Sequence, residues 1–278
     1  MPNSRKTQTA HEALPHTSST PPKLPEKQQA LFREVLELLG NEQIPFAVSG
    51  AFALRQHTGI ARDTKDLDLF MRAEDAKLAL KYLEQQGFRC ENCDPVWLAK
   101  VHRDGYFVDL ITGMSNGVFV VDYSWIDRSR EGKVLGVSTR ILAPEELILS
   151  KLFVTRRERF DGADIAHVIY SIGNKLDWER IVAEVGEHWE MLLWALVLFH
   201  YVYPAHSEKV PQTVWEDLLT RFMSAVGHPN PKADFRGSLV DDCMFAIDVQ
   251  EWGLRDLLAQ YREDRLRGIP IPSPAMVA

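Results

Sequence analysis

Three aspartates of this sequence lie inside short apolar segments, where an unpaired carboxylate is costly to bury. Asp66 and Asp68 stand two residues apart in RDTKDLDLFM, and Asp109 lies in YFVDLIT. Side chains two positions apart point to the same face of a strand, so Asp66 and Asp68 should project side by side. Such a pair either faces water or holds a cation. Carboxylates of this kind suit Mg²⁺, which commonly takes one or two of them together with phosphate oxygens.

Three further residues could bind the phosphates that accompany such an ion. Ser49 and Gly50 end a predicted strand and precede a predicted helix, where small residues allow backbone amides to approach a phosphate. Lys151 lies on one face of the segment PEELILSKLF, where a lysine either extends to the surface or meets an anion. Each position also has a purely structural explanation, because strand-to-helix turns favour small residues and a single lysine commonly reaches solvent.

The hydrophobic pattern predicts the elements that would position these side chains. A helix is expected from Glu26 to Gly40, and another over AEDAKLALKYLEQQGF. A short helix, AFALRQHTG, separates the first two strands. Strands are expected in the segments PFAVSG, DLDLFM, WLAKVH, GYFVDLIT and GVFVVD. From Pro144 onward the pattern is helical. We therefore predict an α/β (α+β) fold, in which a small mixed β-sheet flanked by helices is followed by a C-terminal helical domain.

Composition suggests domain boundaries and argues against membrane-spanning and secreted proteins. Residues 1–25 are rich in Ser, Thr and Pro, and we expect them to be disordered. The sheet-containing domain is predicted over 26–142, the helical domain over 143–235, and a last helix with a Pro-rich tail over 236–278. No apolar run approaches a membrane span, and the N-terminus lacks the apolar core of a secretory signal. We expect a cytoplasmic protein that does not bind membranes.

Taken together, these segments resemble the nucleotidyltransferase superfamily, the fold shared by DNA polymerase β-like enzymes and aminoglycoside nucleotidyltransferases. In that superfamily a turn of two small residues and a short helix precede a D-x-D strand, and a third acid follows on a later strand. Here the pattern is VSGAFALRQHTGIARDTKDLDLF followed by YFVDLITG. The usual Gly-Gly or Gly-Ser pair is replaced by Ser49 and Gly50.

Two details are most similar to the branch that contains abortive-infection type toxins. The first is the R-x-T-x-D-x-D form, made by Arg62, Thr64, Asp66 and Asp68. The second is a later motif, in which a lysine precedes an arginine-rich segment and a pair of acids. The residues at those positions are Lys151, Arg159, Asp161 and Asp164.

The resemblance implies a Mg²⁺-dependent transfer of a nucleoside monophosphate from a nucleoside triphosphate (NTP) to an acceptor hydroxyl, with release of pyrophosphate. Asp66 and Asp68 would bridge two Mg²⁺ ions. Asp109 would hold the catalytic ion and could accept the proton of the acceptor. The implied nucleotide-binding residues are Ser49, Gly50, Arg62, Thr64, Lys151 and Asp164.

These motifs leave the acceptor and the oligomeric state open. The formal net charge is -7, unlike that of proteins that hold nucleic acid by bulk charge. We therefore favour a small-molecule acceptor over transfer RNA. A local group of bases could still steer an RNA end, and its members are Arg62, Lys65, Arg156, Arg157 and Arg159. The alternatives are a non-catalytic nucleotide-binding protein of the same fold and a toxin-like enzyme that modifies transfer RNA.

Overall fold

A computed structural model of the chain describes residues 24–61, 64–156 and 159–268. Its helices are α1 (Glu26–Asn41), α2 (Gly50–Thr58), α3 (Ala73–Gln85), α4 (Tyr123–Asp127), α5 (Pro144–Lys151), α6 (Gly162–Ile172), α7 (Trp178–Val185), α8 (Trp189–Val202), α9 (Gln212–Gly227), α10 (Gly237–Val240), α11 (Ala246–Gln250) and α12 (Leu257–Leu266). Its strands are β1 (Ala47–Val48), β2 (Asp68–Phe70), β3 (Arg89–Asp94), β4 (Leu98–Arg103), β5 (Tyr106–Ile111), β6 (Arg130–Val134), β7 (Val137–Ile141), β8 (Thr155–Arg156) and β9 (Arg159–Phe160).

Seven of these described strands form one mixed sheet, in the order β3-β4-β5-β2-β1-β7-β6. The strands β4 and β5 make an antiparallel hairpin, whereas β2 and β5 run parallel as neighbours at the centre of the sheet. The strand β1 pairs antiparallel with β2 and parallel with β7. This topology makes β5, β2 and β1 consecutive neighbours, so the polar residues within and beside these apolar strands lie close together.

Helices cover the sheet and continue beyond it. The helix α1 buries an apolar stripe that includes Phe32, Val35 and Leu39, because these residues recur at helical spacing. It packs against α3 and against β5 and β7, while α2 packs against α5 and α6. The helices α6, α8 and α9 then pack in succession. The predicted fold class, a mixed sheet flanked by helices with a helical C-terminal part, is confirmed; the domain boundaries stay a prediction.

Two local predictions were wrong, and one hairpin was missed. The segment 117–122 makes an isolated bridge between Gly113 and Val120 instead of a strand. The hairpin of β6 and β7 was missed, because its exposed, charged positions hide the alternation of an edge strand. The helix expected over 144–157 ends at Lys151, and the chain then turns into the small β8–β9 hairpin.

The structure bears in part on two expectations from composition, the disordered N-terminal segment and the lack of a membrane span. The segment 1–25 lies outside the described residues except for Leu24 and Pro25, and Leu24 is buried against the core. In the part of the chain that the structure describes, no helix has the length and apolar character needed to cross a membrane.

Candidate metal and phosphate site

The three aspartates singled out by the sequence lie together at the centre of the sheet. Asp68 is the first residue of β2, Asp66 precedes that strand by two positions, and Asp109 lies in β5. The parallel register pairs Asp68 directly with Asp109. Carboxylate oxygens of the three residues lie within 4.8 Å of one another. Three anionic oxygens at this spacing could bind one divalent cation together with phosphate oxygens.

The electrostatics of this cluster favour a cation. Burial, together with repulsion from the neighbouring Asp66 and Asp109, raises the pKa of Asp68 to about 7. Burial also raises the pKa of Asp109, although the ammonium of Lys100 opposes this effect. The ionised form of Asp68 is therefore unfavourable until positive charge arrives. This oxygen-only donor set fits Mg²⁺.

Lys100 is a site residue that the sequence interpretation missed. Its Nζ lies 2.6 Å from Oδ1 of Asp109, directly across the antiparallel pairing of β4 and β5. The same Nζ lies 3.9 Å from the centre of the Phe107 ring. A signal was present, because counting outward from the Asp104-Gly105 turn pairs position 100 with position 109. Lys100 therefore holds one carboxylate of the cluster in place.

The Ser49-Gly50 turn is built around Asp68. The backbone N–H of Ser49 donates to the carbonyl oxygen of Asp68 at 2.9 Å, and α2 begins at the next residue. Gly50 has a φ of +57°, and a Cβ at this position would lie 1.7 Å from Oδ2 of Asp68. Glycine is therefore required both by the left-handed backbone and by the close approach of the carboxylate. The turn places the N-terminal amides of α2 beside the three acids.

The other predicted nucleotide-binding residues differ in their surroundings. The Thr64 hydroxyl lies 2.9 Å from both the carbonyl oxygen and Oδ1 of Asp66, so it orients that carboxylate. Lys65 beside it is exposed. Arg62 lies outside the described residues.

Lys151 is buried and already lies between two acids. Its Nζ lies 2.7 Å from Asp161 and 2.9 Å from Asp164. Arg159 also reaches Asp161, at 3.3 Å. Burial alone would raise the pKa of Asp161, but Lys151 and Arg159 outweigh that effect and hold it below its usual range. One lysine shared between two acids leaves little free positive charge, so its contribution to a phosphate site depends on how these pairs rearrange.

Two cavities meet at the acids. The polar cavity, of about 380 Å³, is lined by the start of α2 together with Thr64, Lys65 and Asp164. The mainly apolar cavity, of about 310 Å³, has Phe70, Trp97, Ile111, Met114 and Phe153 in its lining, and the polar Ser115, Asn116 and Ser150 also line it. Both share a common boundary formed by Gly50, Asp66, Asp68, Lys151, Arg159 and Asp161. The cluster of carboxylates therefore lies where two compartments of different chemistry join.

Comparison with known proteins gives both structural and family matches. The chain is similar to the lincomycin-bound lincosamide antibiotic adenylyltransferase LnuA, with 17% identity over 52% of this chain and 96% of that one, at a TM-score of 0.37. For ANT(2")-Ia in complex with adenylyl-2"-tobramycin the identity is 14%, the coverage 64% and 99%, and the TM-score 0.39.

A third solved structure is an antigenic nucleotidyltransferase-like protein from Paracoccidioides brasiliensis. Its identity is 19%, its coverage 67% of this chain and 93% of that chain, and its TM-score 0.44. The search of curated proteins gave no match. Residues 23–202 match the model of a family described as uncharacterised nucleotidyltransferase, which covers more than half of the chain.

Proposed function

Because the chain belongs to this family of nucleotidyltransferases, we propose that it transfers a nucleoside monophosphate from an NTP to an acceptor hydroxyl and releases pyrophosphate. The observation that carries this proposal is the position of the three carboxylates at the junction of a polar and an apolar cavity. A phosphoryl group at this junction could be reached from one side by a triphosphate and from the other by an acceptor. Such a reaction depends mainly on positioning and charge stabilisation.

The proposed metal ligands are Asp66, Asp68 and Asp109, which would hold two Mg²⁺ ions. When bound, these ions would supply positive charge to the phosphate oxygens and lower the pKa of the acceptor hydroxyl. The raised pKa of Asp68, which arises from burial and from repulsion by Asp66 and Asp109, supports this assignment. The close approach of Oδ2 of Asp68 to Gly50 also supports it, because a side chain at position 50 would displace the carboxylate.

The protein's own groups then divide the work. The Ser49 hydroxyl and the backbone N–H groups of the first turn of α2, from Gly50 onward, would bind the terminal phosphates, as helix N-termini favour anions. Lys151, which lines both cavities, would add positive charge when its pairs with Asp161 and Asp164 rearrange around the nucleotide. Asp109 would accept the proton of the attacking hydroxyl, with Lys100 fixing its orientation at 2.6 Å.

The pairing of the basic residues supports a small acceptor over transfer RNA. Arg156 lies 2.8 Å from Asp242, and Arg159 lies 3.3 Å from Asp161. Arg157 lies outside the described residues. Bases that already pair with acids offer less to an RNA backbone. Binding of transfer RNA with a log affinity that falls steeply with log salt, by about 0.7 per phosphate contact, would contradict this choice.

The proposal is tested by adding Mg²⁺ and ATP together. We expect a joint increase in thermal stability, because ligands that bind only the folded state stabilise it by mass action, by about 2.7 kcal/mol at a hundredfold excess over Kd. Mg²⁺ alone and ATP with a chelator are the controls. Pyrophosphate release then separates an enzyme from a non-catalytic nucleotide-binding protein. The absence of a joint shift with any NTP would contradict the site.

Lys151→Met should lower the free energy of unfolding by about 3 kcal/mol, because it removes the buried cation that Asp161 and Asp164 share. If Lys151 also faces the triphosphate, the variant should bind ATP more weakly while its affinity for AMP changes little. Denaturant unfolding and titration calorimetry measure the two effects. The exposed Lys77→Met is the matched control and should change stability by less than about 0.5 kcal/mol. An equal loss of affinity for ATP and AMP would move Lys151 away from the triphosphate.

A further inference from the structure

The lining of the apolar cavity changes from acidic to apolar along β2 and β5. Asp68 and Asp109 lie at its acidic end, and Phe70 and Ile111, two positions further along the same strands, form its apolar floor. Side chains two positions apart on a strand lie on the same face. On each strand the acidic side chain is therefore followed by an apolar one on the same face. Trp97, Met114 and Phe153 also line the cavity.

Asp109 distinguishes this cavity from the polar one. Asp66 and Asp68 line both cavities, whereas among the described residues Asp109 lines the apolar cavity alone. The proposed function makes Asp109 the group that accepts the acceptor's proton. The attacking hydroxyl must therefore approach from the apolar side, since a base has to lie within hydrogen-bond reach of the proton it removes.

We infer, building on the proposed function, that the apolar cavity is the acceptor subsite and that it takes a small uncharged molecule carrying its hydroxyl on an aromatic or aliphatic body. In the step, the hydroxyl oxygen forms a bond to the α-phosphorus and its proton passes to Asp109. The bond from the α-phosphorus to the bridging oxygen breaks, and pyrophosphate leaves with that electron pair. No co-reactant is needed.

The charges around the cavity set the class of acceptor. Beyond the three clustered acids, the described lining contains Asp161, which is already paired with Lys151 and Arg159. The remaining charged group of the lining is the cation of Arg156. A polycationic acceptor would find no acid there beyond the three clustered ones and the paired Asp161. A highly hydroxylated one would leave polar groups against Phe70, Ile111 and Met114, because the polar Asn116 and Ser150 of the lining already hydrogen-bond within the protein. An uncharged apolar body satisfies both conditions.

The helix α12 fixes the rim of this subsite. Arg262 reaches both carboxylate oxygens of Asp94, at 3.0 and 2.9 Å, and donates to the carbonyl oxygen of Ser115 at 2.7 Å. Asp94 in turn accepts from the indole N–H of Trp97 at 3.1 Å. Arg265 donates to the carbonyl oxygen of Gly117 at 2.9 Å. The loop that carries Met114 is thus tied to α12, as is the ring of Trp97 through Asp94.

The first experiment measures pyrophosphate release from ATP and Mg²⁺ with three probes: 2-phenylethanol, sorbitol and glucosamine. We expect 2-phenylethanol to raise the rate over the water background by about tenfold or more, and the polyol and the amino sugar to leave it near background. Stimulation only by sorbitol or glucosamine would overturn the inference. Failure of ATP and Mg²⁺ to bind would instead contradict the proposed function, so the two failures are distinguishable.

Two variants then locate the probe. Met114→Trp should fill the apolar cavity and reduce stimulation by 2-phenylethanol about tenfold, with the Kd of ATP and Mg²⁺ changed less than about twofold. Met223→Trp, on an exposed position of α9, is the matched control. If Met114→Trp does not fold, Ile111→Ala, which enlarges the same cavity, should raise the KM for 2-phenylethanol with the same nucleotide affinity. Equal loss of ATP binding would place the nucleoside in this cavity and overturn the inference.

Arg262→Met tests the rim, with Arg262 acting as a positioning residue. Because it loosens the loop without touching the acids, it should raise the KM for 2-phenylethanol several-fold and leave kcat and ATP affinity nearly unchanged. Arg267→Met, which removes an exposed pair with Glu263 on the same helix, is the control. A fall in kcat with unchanged KM would show that α12 supports the acids and not the acceptor subsite.

Discussion

Asp68→Asn should reduce nucleotidyl transfer by about a thousandfold or more, because it removes an anionic oxygen from the proposed metal ligands and the charge stabilisation they support is worth several kcal/mol. The joint thermal shift produced by ATP and Mg²⁺ should disappear with it. Pyrophosphate release and a thermal melt measure the two effects. The isosteric amide retains the shape of the side chain, so the contact with Gly50 is preserved.

The same variant should make the metal-free protein more stable at neutral pH. Burial and the neighbouring acids raise the pKa of Asp68 to about 7, well above its value in the unfolded chain. Between about pH 4 and 7 the folded protein retains a proton that the unfolded chain has released, so stability falls as pH rises through this window. Asparagine has no such proton. The gain in the free energy of unfolding of the variant should therefore be absent near pH 4 and reach about 2 kcal/mol above pH 7. This value is smaller than the full pKa shift implies, since water screens part of the effect.

Asp104→Asn is the matched control for this result. Asp104 is exposed, lies in the β4–β5 turn and has a φ of 53°, a conformation that asparagine tolerates. Denaturant unfolding at pH 4, 6 and 8 should show no pH-dependent gain for the control. Destabilisation of Asp68→Asn at pH 8 would show that Asp68 serves the fold and would contradict its assignment as a metal ligand.

Gly50→Ala should reduce transfer by about a hundredfold while the fold survives. The new Cβ would fall 1.7 Å from Oδ2 of Asp68, so either the carboxylate or the turn must move. A displacement of about 1 Å in a catalytic site costs roughly this factor. The left-handed backbone of Gly50 adds about 1–2 kcal/mol of strain in the folded state. Steady-state kinetics and denaturant unfolding test both parts.

Gly40→Ala provides the comparison for this substitution. Gly40 lies in the last turn of α1, and a Cβ there meets no atom within 4 Å. The substitution should leave transfer unchanged and raise stability by up to about 1 kcal/mol, as alanine favours helix. Full activity in Gly50→Ala would show that the close contact with Asp68 is dispensable.

Much of the site's arrangement could be predicted from sequence spacing. The D-x-D pattern and an acid in a later apolar strand predicted three neighbouring carboxylates, and the structure brings Asp66, Asp68 and Asp109 together. The pattern succeeds because strand alternation is local, and each acid interrupts an apolar run where its cost is conspicuous. Their roles as metal ligands stay a prediction.

The remainder depends on contacts that spacing does not encode. Lys151 was assigned to a phosphate, but its ion pairs with Asp161 and Asp164 require the chain to turn back through the β8–β9 hairpin. The contact of Gly50 with Asp68 depends on how α2 leaves the sheet. The rim contact of Arg262 with Asp94 joins residues 168 positions apart. Pairings over such distances follow from tertiary packing and not from a local period.

The helix α12 contacts the rim of the apolar cavity, yet it lies in a part of the chain that the family model does not match. The match to the family ends at residue 202, whereas Arg262 and Arg265 come from the segment after it. Substitutions in this later segment can therefore reshape the mouth of the apolar cavity while the acids in β2 and β5 remain unaltered. Under the proposed function, such substitutions would change which acceptor is bound while the proposed metal ligands stay the same.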